Sequence, residues 1–177
     1  SMETGLSGFD DVALEGLGQG DDKNVVRAAV SRPSSDRLLK VAQAFRLGFT
    51  VEQVFQFCKI DPWFLSQIKA IVDTEARVIA HGLPETAGQL RALKSMGFSD
   101  ARLAKLAKST ETDVVKLRKA LAVEPVYKRI DTCAAEFATP TAYMYSTYDE
   151  ECEAAPSAKK KIMVLGGGPN RIGQGIE

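Results

Sequence analysis

Gly48-Phe49-Thr50-Val51-Glu52-Gln53-Val54-Phe55-Gln56-Phe57-Cys58-Lys59-Ile60-Asp61-Pro62-Trp63-Phe64-Leu65 contains one helix stop and two helix starts. Gly48 can take the positive φ that ends a helix, and Thr50 can cap the next by accepting a bond from its first-turn amides. Val51, Val54, Phe55 and Cys58 then recur at three- and four-residue spacing, the period of one helix face. Asp61 caps a third helix, with Pro62 at the first helical position, where its missing N–H costs nothing. Phe64, Leu65, Ile68, Ile71 and Val72 carry that helix towards His81-Gly82. Upstream, Ser31-Arg32-Pro33-Ser34-Ser35 punctuates the chain. Ser35 is placed to cap a helix from Asp36 whose inward face is Leu38, Leu39, Ala42 and Phe45.

The same order returns downstream. Gln89 to Met96 reads as a helix, Gly97-Phe98-Ser99 as stop and cap, Ala101 to Ala107 as a short helix and Thr110 to Leu121 as a longer one. Laying Gly48-Phe49-Thr50 on Gly97-Phe98-Ser99 pairs Val54 with Leu103, Phe57 with Leu106, Leu65 with Val114 and Ile68 with Leu117, apolar on apolar each time. The fold class expected is all-α, two packed three-helix units that bury together what neither could bury alone. An extended connector and one terminal β-strand should follow.

Four segments result. Residues 1–35 read as an acidic arm, irregular apart from one short helix over the apolar patch Val25-Val26-Arg27-Ala28-Ala29-Val30. Residues 36–124 are the helical domain. Residues 125–158 hold all four tyrosines, Tyr127, Tyr143, Tyr145 and Tyr148, among threonines and small residues, a composition for an extended connector lying on other protein surface. Residues 159–177 begin as the strand Ile162-Met163-Val164-Leu165 and run into Gly166-Gly167-Gly168-Pro169-Asn170-Arg171-Ile172-Gly173-Gln174-Gly175. A strand feeding such a turn is the opening of a nucleotide-type domain whose remainder is expected outside this sequence.

Lysine plus arginine equals aspartate plus glutamate at 23 each, so no global charge draws the chain to nucleic acid or an anionic membrane. The charge is polarised instead. Residues 1–31 carry Glu3, Asp10, Asp11, Glu15, Asp21 and Asp22 against Lys23 and Arg27. Residues 101–131 carry eight bases against four acids, so the arm and the basic helices can meet, within one chain or between two. The sequence holds no apolar run long enough to cross a bilayer, and its polar, acidic start is not expected to act as a secretory leader. Cys58, Cys133 and Cys152 are odd in number with no C-x-x-C spacing, as reduced thiols of a cytoplasmic protein would be.

Candidate chemistry is sparse. Gly166, Gly167, Gly168, Gly173 and Gly175 are candidates for cradling phosphate with backbone amides, although Arg171 stands where the G-x-G-x-x-G fingerprint has its last glycine. The alternative is a tight strand-to-helix connection without a ligand. Leu103 to Lys119 has the look of a helix-turn-helix, but Glu111 and Asp113 occupy the positions that would face bases, so no DNA partner is expected. Met96-Gly97-Phe98 is similar to the loop of ubiquitin-associated three-helix domains, which leaves a small binding module as the alternative function. His81, the single histidine, has no partner for a metal or a catalytic set, and none is assigned. Trp63 and the phenylalanines at 45, 49, 55, 57 and 64 read as core, with Trp63 and Phe64 also candidates for an exposed interface anchor.

Val126 to Phe137, with Thr141-Ala142-Tyr143-Met144-Tyr145-Ser146-Thr147-Tyr148, resembles the central connector of the carbamoyl phosphate synthetase large-subunit family. Lys161 to Glu177, with Leu165 to Gly175 within it, looks like the start of that family's second synthetase half, and Ser1 to Gly5 like the end of the first. Asp61-Pro62-Trp63-Phe64-Leu65 and Gly97 to Ala104 are similar to its oligomerisation domain. The resemblance implies a non-catalytic oligomerisation and spacer domain that self-associates, with no catalytic residue and no cofactor of its own. It further implies a parent ligase that makes carbamoyl phosphate from bicarbonate, glutamine-derived ammonia and two ATP for arginine and pyrimidine synthesis. In that parent, ATP-grasp halves with ATP and magnesium or manganese would flank this region, and a glutamine amidotransferase small subunit would be a partner.

Overall fold

A computed structural model describes residues 5–134, 136–137 and 143–165. They fall into two compact units, a helical one over Leu6–Glu124 and a second from Pro125 onward. Seven helices make the first: α1 (Asp22–Ser31), α2 (Arg37–Arg46), α3 (Val51–Cys58), α4 (Pro62–His81), α5 (Ala87–Ser95), α6 (Asp100–Leu106) and α7 (Glu111–Ala120).

Helices α2, α3 and α4 are repeated as α5, α6 and α7, down to the connections. Gly48 (φ 86°) and Gly97 (φ 92°) end the first helix of each set in the left-handed region. The amide of Phe49 bonds back to the Ala44 carbonyl at 3.2 Å, and that of Phe98 to the Leu93 carbonyl at 3.3 Å. Thr50 and Ser99 cap the second helices, accepting from Gln53 N and Arg102 N, and Gln53 returns a bond to close a capping box at the first. Asp61 and Thr110 cap the third helices through the amides of Trp63 and Asp113.

Burial follows the same correspondence. Val54 and Leu103 are fully buried, as are Leu65 and Val114. The first core gathers Val41, Ala42, Ala44, Phe45, Val54, Cys58, Leu65, Ile68 and Val72, joined by Leu14, Val26 and Val30 from the segment before α2. Leu90, Phe98, Leu103, Ala104, Leu106, Val114 and Val123 are the buried apolar set of the second repeat. Long α4 touches both α2 and α3 of its own repeat and α6 of the next.

Some details differ from the sequence expectation. The N-cap of α2 is Asp36, not Ser35, and the Ser34 hydroxyl bonds to the Asp36 carboxylate. Leu38 is half exposed, because the apolar face of α2 turns on Val41, Ala42, Ala44 and Phe45. The acidic segment packs into the helical unit: α1 lies on α2 and α3. Arg37 staples this corner, donating from Nε to the Val30 carbonyl (2.9 Å) and from Nη2 to the Cys58 carbonyl (2.7 Å).

The second unit holds an antiparallel pair, β1 (Val126–Arg129) and β2 (Met144–Thr147), in the register Val126↔Thr147 through Arg129↔Met144. Glu153 anchors its chain segment to β1, its amide donating to the Tyr127 carbonyl and its carboxylate accepting from the Arg129 amide, both at 2.7 Å. The strand expected at Ile162 to Leu165 is not formed. Those residues are 84–93% exposed and have no ladder partner, which a strand requires. The helical class with a short strand element after it stands, with the strands in the connector.

Candidate functional site

The cap at Asp61 sets the first turn of α4, and that turn puts two aromatic side chains into solvent. Asp61 Oδ1 accepts from the Trp63 amide at 2.8 Å. Trp63 is 63% exposed and Phe64 57% exposed, and their rings meet edge to face at 5.0 Å between centroids. The core places expected for these two are therefore not the ones they occupy, whereas Phe45 is buried and Phe49, Phe55 and Phe57 pack partly buried against the first core. The repeat supplies an internal control. Trp63 and Phe64 correspond to Thr112 and Asp113 in α7, both exposed and polar. The three-helix fold thus accepts polar residues at this turn.

A second feature is a chain of buried charges. Arg102 of α6 donates from Nε and Nη2 to Glu75 Oε1 of α4, at 2.8 and 2.6 Å, with both residues 3% exposed. Its Nη1 donates to Asp10, which also accepts from Lys105 Nζ at 2.5 Å. Arg46 of α2 donates to Glu75 Oε2 at 2.7 Å and pairs with Asp11 at 3.3 Å. The bond from Lys105, working against burial, holds the Asp10 carboxyl below the ordinary aspartate value, with the amide of Ser7 and the charge of Arg102 assisting. Polarised charge in the sequence foreshadows this meeting of arm and basic helices. Which residues meet was not legible, because they lie up to ninety-five positions apart.

Further along, Lys94 donates to the Phe98 carbonyl (2.6 Å) and to Asp100 (2.7 Å), and Arg118 reaches the other oxygen of Asp100 at 3.1 Å. Burial is the largest influence on the Asp100 carboxyl and pushes it up. The bonds and charges of Lys94 and Arg118 together exceed that and leave it low. These clusters hold the helices in place: each carboxylate is spent on cations that brace neighbouring segments.

A cleft of about 370 Å³ lies between Leu6–Phe9, Ile71 and the Met96–Ser99 turn, with Glu75 and Arg102 at its wall. A wider one of about 560 Å³ runs past Arg77, His81, Thr86 and Gln89. Among the described residues no group of three His, Cys, Asp or Glu side chains is arranged to hold a metal ion, and no helix is long and apolar enough to cross a membrane. His81 is the last residue of α4. In the Met96-Gly97-Phe98 turn, Phe98 is buried in the core as part of the helix stop. Gly166, Gly167, Gly168, Gly173 and Gly175 lie outside the described residues.

Comparison with known proteins gives this geometry its context. The family model for the oligomerisation domain of the carbamoyl-phosphate synthetase large chain matches residues 1–122, which span the whole helical repeat. The carbamoyl phosphate synthase large chain of Brucella melitensis is 61% identical over 182 residues, that of Rhizobium meliloti 58% over 183, and that of Neisseria meningitidis serogroup B 52% over 178. Each alignment covers 99% of this chain and 16% of the relative, so the chain spans about a sixth of the length of the proteins it matches. From the doubled three-helix unit and these matches together, the chain belongs to the carbamoyl-phosphate synthetase large-chain family, as its oligomerisation domain.

Proposed function

We propose that the helical unit is a non-catalytic module that holds copies of a large subunit together and spaces its flanking parts, with Trp63 and Phe64 as contact residues. The observation that carries this is the contrast within the repeat, two exposed aromatics at the head of α4 against Thr112 and Asp113 at the head of α7. Exposed tryptophan costs solvation and is enriched among the residues that dominate interface energy. No catalytic residue is assigned to the chain. Its buried carboxylates, Glu75 and Asp10, and the partly buried Asp100 are all committed to arginine and lysine.

The parent protein, on this reading, is an ATP-dependent ligase of the cytoplasm that makes carbamoyl phosphate from bicarbonate, glutamine-derived ammonia and two ATP, serving arginine and pyrimidine synthesis. ATP and magnesium or manganese would bind in its ATP-grasp halves, outside the helical unit, and a glutamine amidotransferase subunit would deliver the ammonia. The second unit, from Pro125 on, would then be the connector into the next synthetase half. The relatives named above support this reading, and nothing in the comparisons favours a DNA- or ubiquitin-binding module. The oligomeric mass of the chain as a function of concentration, with and without Trp63→Ala, tests the assembly role.

A further inference from the structure

We propose that residues 7–11 form a latch that fixes the placement of the two three-helix repeats on each other and that can open while both repeats stay folded. The central observation is one backbone atom gripped from both sides. The Phe9 carbonyl accepts from Arg46 of α2, in the first repeat, and from Arg102 of α6, in the second, the latter at 2.9 Å. Asp10 adds bonds to Arg102 and Lys105 of the second repeat, and Asp11 an ion pair to Arg46 of the first.

Charge makes the strap more than a cover. Arg46, Arg102 and Lys105 converge on three carboxylates, Glu75, Asp10 and Asp11, and two of these three belong to the strap. With the strap lifted, Arg46 and Arg102 are left sharing Glu75 and Lys105 loses its carboxylate, so positive charge is in excess there. The repeats meet directly where α4 touches α6, which is where Glu75 and Arg102 sit. Removing the strap therefore unbalances charge at the seam between the repeats.

The strap is also suited to opening. It has no helix or strand of its own, and its internal bonds are short-range: the Asp10 amide to the Gly8 carbonyl at 3.0 Å and the Ser7 amide to the Asp10 carboxylate at 3.2 Å. Its place is held by side chains of the helices and by Phe9, which packs partly buried against the first core. Leu6 to Phe9 form one wall of the 370 Å³ cleft, so lifting them exposes Glu75 and Arg102 to water. A segment held by a few polar bonds and one partly buried side chain over a packed body opens locally at a cost below that of global unfolding.

Amide hydrogen exchange in the 177-residue chain, wild type against Asp10→Asn, tests this. Losing the carboxylate should accelerate exchange by roughly tenfold or more at the strap and at amides of α6, the size expected for a lost charge-assisted bond. Exchange in α3, which packs mainly on α1 and α4 and not on α6, should be unchanged. Unaltered strap exchange, or an equal acceleration in α3, overturns the latch, since the first means no grip and the second means general destabilisation. Should Asp10→Asn fail to fold, Lys105→Ala removes one exposed partner and should raise exchange at the strap alone, by a smaller factor; no rise there would equally overturn it. Neither result depends on whether Trp63 contacts another copy.

Discussion

Lys59 and Lys108, forty-nine residues apart, both hold the left-handed backbone conformation, at φ 57° and 53°, after the second helix of each repeat. A side chain at such a position costs energy that glycine avoids. Lys108→Gly should therefore stabilise the chain by about 0.5–1 kcal/mol. Lys59→Gly should gain less, because the Lys59 ammonium lies 5.2 Å from the Phe55 ring centroid and bonds to Gln56. Urea midpoints of the two variants check the order.

Arg102 is the keystone of the buried charges, since among the described residues it alone bonds to both Glu75 and Asp10. Arg102→Met should cost about 3–5 kcal/mol, because it leaves buried carboxylate charge short of a partner. Lys105→Met, at a side chain 59% exposed, should cost less than about 1 kcal/mol despite removing an ion pair to the same aspartate. Equal losses in chemical denaturation would mean that burial does not set the worth of these pairs.

Asp10 and Asp100 predict the acid limb of stability. Lys105 is the main cause of the low Asp10 value, while Lys94 and Arg118 overcome burial at Asp100. A folded value below the unfolded one means that the unfolded chain binds more protons in acid, so stability rises with pH there. This contribution is complete above the unfolded aspartate value of about 3.9 and is lost as pH falls through the lower folded values. Asp100→Asn should flatten the fall in urea midpoint below about pH 4 relative to wild type. An unchanged acid limb would count against the Asp100 ion pairs.

The helical repeat was legible because its signals are local: a glycine stop, a hydroxyl cap and an apolar period recur within single turns. Thr50, Asp61, Gly48 and Gly97 all do what their residue types suggest. Exposure of Trp63 and Phe64 was legible only as the second of two readings, because an aromatic beside Leu65 looks like core until the helix is placed. Nor was the fate of the segment before α1, which has no periodicity and is held by bonds from Arg46 and Arg102 far along the chain. The β1–β2 pair escaped for a related reason: an extended composition names no partner, and Tyr127 pairs across to Ser146.

Phe64→Ser should leave the melting temperature nearly unchanged, within about 1 kcal/mol of stability, since the residue is already 57% exposed. It should weaken self-association all the same. A large drop in melting temperature would instead mark the ring as part of the fold.

The role in assembly rests most directly on the mass of the chain in solution. Sedimentation equilibrium from micromolar to near-millimolar concentration should show mass rising from the 19.2 kDa monomer to an integral multiple, with Trp63→Ala shifting that rise to higher concentration. A mass that stays at 19.2 kDa throughout, identical for wild type and Trp63→Ala, would contradict self-association through this surface.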